Sequence, residues 1–86
     1  MDINQLIAIV KKKIDKKLNC EEIIIEDKTF LHKSHPQFDK NKFHIKLILK
    51  CEKIKELNKI QSTRLIYKIL DFELKNYIHS IQIFIV

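Results

Sequence analysis

Ile3, Ile7, Val10 and Ile14 recur at helical spacing, and Leu6 and Leu18 widen the same apolar stripe. The pattern predicts a helix at the start of the chain. Asp2 followed by Gln5 has the form of a capping box, and Asn19 is a natural stop. Lys11, Lys12, Lys13, Lys16 and Lys17 fill the opposite face and the C-terminal half, where cations suit the helix dipole. They read most simply as a solvated face over a buried stripe. "EEIIIEDKTF" follows, short and rich in β-branched residues, as a strand requires. "FHIKLILKC" then alternates, with Phe43, Ile45, Leu47, Leu49 and Cys51 on one face and His44, Lys46, Ile48 and Lys50 on the other. The first set is assigned to the core, so Cys51 is expected to be buried and His44 to be exposed. From Glu52 to Tyr77 the pattern is helical with a weak point near Asn58, and Ser62 is the expected N-cap of a longer helix carrying Leu65, Ile66, Ile69, Leu70 and Leu74. The chain closes on "HSIQIFIV", in which His79, Ile81, Ile83 and Ile85 share one strand face.

The order is α-β-β-α-α-β, and residues 1–86 are expected to form a single domain. The two consecutive strands make a hairpin. The last returns through helices, so it is free to lie parallel to its neighbour. The strand at Phe43–Cys51 is therefore expected to be central, antiparallel to Ile23–Asp27 and parallel to His79–Val86. Helices on one face of this three-stranded mixed sheet make a two-layer α+β domain.

Composition narrows the function. Glycine is absent, which excludes the phosphate-cradling loops of Walker and dinucleotide type and a GxxG nucleic-acid clamp. The formal charge of +6 favours acidic partners, nucleic acid included. Sixteen of the cations are lysines, spread throughout the chain, so part of the charge is compositional. Cys20 and Cys51 are far apart and in no CxxC arrangement, which predicts two free thiols in a cytoplasmic protein and argues against a zinc ribbon. No apolar run reaches the length of a membrane span, and no association with a membrane is expected. No nucleophile, base and orienting group fall together, so an enzyme is not expected. Three of the four histidines, His32, His35 and His44, fall in "FLHKSHPQFDKNKFH" beside the only proline. Such clustering suits a metal site as well as a plain polar loop.

The sequence resembles the BolA family along almost its whole length. "IIIEDKTFLH" looks like the family's first strand and following histidine, and "FHIKLIL" like its Phe-Lys-Val-Val-Leu-Val strand. "RLIYKIL" with Glu73-Leu74 resembles the end of its long helix, and "IHSIQI" the Val-His-Ala-Leu-x-Ile that opens its last strand. The resemblance implies a fold akin to class II KH domains, in agreement with the order of elements above. It also implies a non-enzymatic protein that pairs with a monothiol glutaredoxin in iron–sulfur cluster assembly or trafficking. The alternative it carries is a DNA-binding transcriptional regulator of stress response and cell morphology.

Carried over by motif position, the resemblance makes His79 one ligand of a [2Fe–2S] cluster and His32 the loop histidine that supplies another. His35 is a neighbour able to substitute for His32. The partner's cysteine and a glutathione thiol would complete the set, so the isolated protein is expected to be a monomer without a cofactor of its own. Spacing alone also fits His79 as a half-buried residue donating to a backbone carbonyl. Where the family carries Arg-His-Arg, "STR" leaves Arg64, the chain's only arginine, as a candidate for partner binding. The family's Val-Ser-x-x-Phe-x-Gly stretch is replaced here by "KCEKIKELNK".

Overall fold

A computed structural model of the chain describes residues 1–29 and 42–86. Helix α1 (Ile3–Leu18) is followed by strands β1 (Glu22–Asp27) and β2 (Phe43–Lys50). Three helices come next, α2 (Glu52–Lys55), α3 (Lys59–Ile69) and α4 (Asp71–Asn76), and strand β3 (Ile78–Ile85) completes the fold. The sheet order is β1-β2-β3, antiparallel between β1 and β2 and parallel between β2 and β3. This is the α+β topology expected, with β2 central.

Local chemistry explains the boundaries. The Asp2 carboxylate accepts from the Gln5 N–H at 2.8 Å while the Gln5 side chain accepts from the Asp2 N–H, so both residues satisfy donors that would otherwise be orphaned at the first turn of α1. Asn19 ends the helix in the left-handed conformation, at φ 51°, one of the few non-glycine residues that tolerate it. Ser62 is not the N-cap of α3, contrary to the sequence expectation. Asn58 takes that place, in a second capping box with Gln61. Ser62 is buried within the helix, and its hydroxyl donates to the Lys59 carbonyl. The helical run also breaks at Leu70, which separates α3 from α4.

Leu6, Val10, Ile14 and Leu18 of α1 meet Ile45, Leu47 and Leu49 of β2, with Ile54, Ile66, Leu70 and Ile78, in one buried cluster. The strand alternation predicted Ile45, Leu47 and Leu49, and the helical spacing the residues of α1. The other sheet face carries a row of apolar partners across all three strands, Ile24 beside Ile48 and Ile48 beside Phe84. Ile24 and Phe84 are exposed, and the Lys46 ammonium sits 4.9 Å from the Phe84 ring centroid.

The cysteines depart from the expectation of free thiols: Cys20 and Cys51 are joined in a disulfide. Their distance in sequence hides their closeness in space. The turn at Asn19 reverses the chain after α1, and antiparallel pairing sets Glu22 opposite Lys50, with the Glu21 N–H donating to the Lys50 carbonyl at 2.8 Å. The neighbouring cysteines are thereby brought together at the end of β2. Among the described residues no helix is long and apolar enough to cross a membrane.

Candidate functional site

His79 lies at the start of β3, where the pairing with β2 is irregular. Phe43 is opposite Ile78, but the next residue, His44, is opposite Ser80. One step along β2 thus matches two along β3, and His79 is the extra residue. Such a bulge re-aims a side chain. It also resets the alternation: Ile78 is buried, while Ile81, Ile83 and Ile85 pack partly buried against the same core. His79 does not extend that row. It is exposed, with its ring centroid 4.8 Å from that of His44.

His44 is buried at 5% relative exposure, which overturns the expectation that it faces solvent. Its Nδ1 is hydrogen-bonded to Ser80 Oγ at 2.5 Å, across the register that the bulge creates. The backbone around it is held on two sides. Its N–H donates to Thr29 Oγ1 at 3.1 Å, and its carbonyl accepts from the Lys28 N–H at 2.7 Å. Thr29 is itself tied to Asp27, whose carboxylate accepts from both the Thr29 N–H and its hydroxyl. Next to it, the Phe43 N–H donates to the Tyr77 carbonyl at 2.8 Å. These bonds hold the buried His44, and the solvent-facing His79 imidazole lies against its ring.

A profile of the BolA-like protein family matches residues 14–86. The chain belongs to the BolA-like family. Among solved structures, the BolA domain of SufE1 from Arabidopsis thaliana is similar with a TM-score of 0.78 at 27% identity, over 91% of this chain and 86% of that one. BolA1 from Arabidopsis thaliana is similar with a TM-score of 0.77 at 24% identity, over 91% of this chain and 86% of that one. BolA1 from Mus musculus shares the fold at 18% identity and a TM-score of 0.72, over 90% of this chain and 60% of that one. No curated protein sequence gives a significant match. The three-stranded mixed sheet and its helices are thus the architecture of BolA domains.

Of the histidines that the sequence singled out in this BolA-like chain, His79 lies on the bulge. His32 and His35 lie outside the described residues. Arg64 is exposed on α3, and among the described residues its side chain has neither a hydrogen bond nor an ion pair. Both cysteines are consumed in the disulfide, and among the described residues no three His, Cys, Asp or Glu side chains converge to hold a metal ion.

Sequence reasoning missed two participants. His44 was assigned outward by strand parity, which cannot register what covers a face. Glu73 was noted only as part of a helix motif, yet it is buried at 3% exposure with its carboxylate accepting from Lys13 Nζ at 2.6 Å. That ion pair fastens α4, which leads into Ile78 and His79, to α1. No periodic signal marks a pair 60 residues apart.

Proposed function

We propose that this BolA-like protein is a non-enzymatic adaptor that pairs with a monothiol glutaredoxin in iron–sulfur cluster assembly or trafficking. The observation that supports it most directly is His79, turned outward by the bulge and backed by the fixed ring of His44. In the complex His79 would supply one nitrogen ligand, and His32 or His35 another. Thiolates from the glutaredoxin cysteine and glutathione would supply the remaining bonds to a [2Fe–2S] centre. The chain's own contribution is to hold an imidazole at a stated place on a rigid strand and to leave its nitrogen accessible. Arg64, exposed on α3 with a planar guanidinium, is assigned to docking the partner through a carboxylate.

Anaerobic co-purification with a monothiol glutaredoxin, followed by visible absorption and circular dichroism, tests this function. His79→Ala should alter or abolish the spectrum of the complex, and replacing both His32 and His35 should alter it more weakly. An unchanged cluster spectrum after His79→Ala would sink the assignment. The net charge of +6 motivates a rival function in DNA binding. Binding through several lysines should collapse between low and moderate salt, whereas coordinate bonds to a cluster should survive.

A further inference from the structure

Among the described residues five lysines are ion-paired and the others, Lys11, Lys12, Lys42, Lys53, Lys55 and Lys59 among them, are not; what sets Lys16, Lys17 and Lys68 apart is that they line one groove. Lys28 and Lys46 face Glu26, Lys50 faces Glu21, and Lys75 faces Asp71. Lys16, Lys17 and Lys68 have no carboxylate within ion-pair distance among the described residues. All three are exposed, and they converge across the seam between α1 and α3. Lys13 joins them from α1, with its charge already taken up by the buried Glu73.

Between these cations runs a groove with an aliphatic floor. Its wider part, about 370 Å³, is lined by Leu18, Leu65 and Ile69 with Lys17 and Lys68 at the rim. It continues into a part of about 290 Å³ lined by Lys13, Lys16, Lys17 and again Ile69. Leu65 and Ile69 are only partly buried, one helical turn apart on α3. The apolar stripe of α3 therefore extends past what α1 covers.

We propose that this groove docks an acidic amphipathic helical segment of a partner protein. Two aliphatic side chains one turn apart on that segment would sit on Leu65 and Ile69, and flanking Asp or Glu side chains would meet Lys16, Lys17 and Lys68. Charge complementarity selects the occupant. Three unpaired cations repel one another across the seam, and an acidic partner relieves that repulsion while covering the aliphatic floor. Single-stranded nucleic acid fits less well. Its bases need aromatic platforms to stack on, and no aromatic side chain lines either part of the groove. The inference stands apart from the histidine site and does not depend on it.

The test uses the intact protein and a fluorescently labelled peptide of about four helical turns, with Leu at i, i+3, i+4 and i+7 and Glu at most other positions. A peptide of the same composition with the leucines scrambled is the control, and a single-stranded oligonucleotide is the competitor. Saturable binding of the amphipathic peptide is expected by anisotropy, with scrambled peptide at least roughly tenfold weaker. The variant Lys16→Glu/Lys17→Glu/Lys68→Glu changes only exposed side chains and should weaken binding by a similar factor. Leu65→Ser should weaken it with the circular dichroism spectrum retained. Amide shifts in the NMR spectrum should centre on residues 13–18 and 65–69. Absence of binding, equal binding of the scrambled peptide, an unchanged affinity after charge reversal, or displacement of the peptide by the oligonucleotide at equal concentration would each overturn the proposal.

Discussion

The two ends of β2 are built on opposite principles. At its C-terminal end the register is regular, the Val86 N–H donates to the Leu49 carbonyl at 2.9 Å, and the adjoining Cys51 is covalently fixed to Cys20. At its N-terminal end the register slips, a buried histidine is hydrogen-bonded to a serine, and His79 is turned to solvent. The first end contributes stability and offers little chemistry. The second offers an imidazole and relies on polar contacts that each contribute little. The difference teaches that a chain this small can expose a histidine on an irregular strand without losing its fold, provided the irregular end is not the one that anchors the sheet.

Loss of the disulfide should have the largest effect. Closing a loop across a sequence separation of 31 stabilises the fold by about 3–4 kcal/mol in the chain-entropy account. Cys20→Ser/Cys51→Ala, or reduction of the native protein, should lower the denaturation free energy by a large part of that. The measurement is urea unfolding followed by circular dichroism. Ellman titration should find no thiol in the oxidised, unfolded protein. A full count of two thiols there would remove the contrast between the ends.

Glu73 comes next. Glu73→Ala leaves Lys13 without its acceptor and opens space where α4 meets α1, and it should cost about 2–3 kcal/mol. Lys13→Met leaves the carboxylate of Glu73, at 3% exposure, without its cation, so it should cost at least as much as Glu73→Ala. Thermal unfolding of both variants checks the order.

The smallest effects are expected at the histidine end. Ser80→Ala removes the hydrogen bond to His44 and should cost about 1 kcal/mol. His79→Ala, at an exposed position, should stay within about 0.5 kcal/mol of the parent. If His79→Ala proved more destabilising than Ser80→Ala, the outward imidazole would be part of the structural frame, and the separation between the two ends would fail.

The fold was legible wherever side-chain periodicity carries the information. The stripe from Leu6 to Leu18, the alternation from Phe43 to Lys50 and the crossover to a parallel last strand are all written in local spacing. The capping box at Asp2 and Gln5 was equally plain. Its twin at Asn58 and Gln61 has the same Asx-x-x-Gln form and was open to the same inspection, but Ser62 drew the assignment away. What stayed hidden depends on pairing across the fold. The cysteines meet only through the turn at Asn19 and the β1–β2 register. The exposure of His79 follows from a one-residue slip in the β2–β3 register, and the burial of His44 from what covers its face of the strand. Glu73 and Lys13 meet because two helices cross. The position of His79 at the start of the last strand was legible, but its surroundings were not.

The disulfide also gives the chain a topology that its sequence order conceals. Cys20 and Cys51 close a covalent ring that contains the whole of β1 and β2. A single backbone cut inside that ring leaves both pieces one molecule, because each remains attached through sulfur. A cut beyond Cys51 does not, since the crossover through α2, α3 and α4 is the sole covalent tether of β3. The strand that carries His79 is thus held to the sheet by hydrogen bonds and packing alone once that tether is severed, while the hairpin beside it has a spare connection.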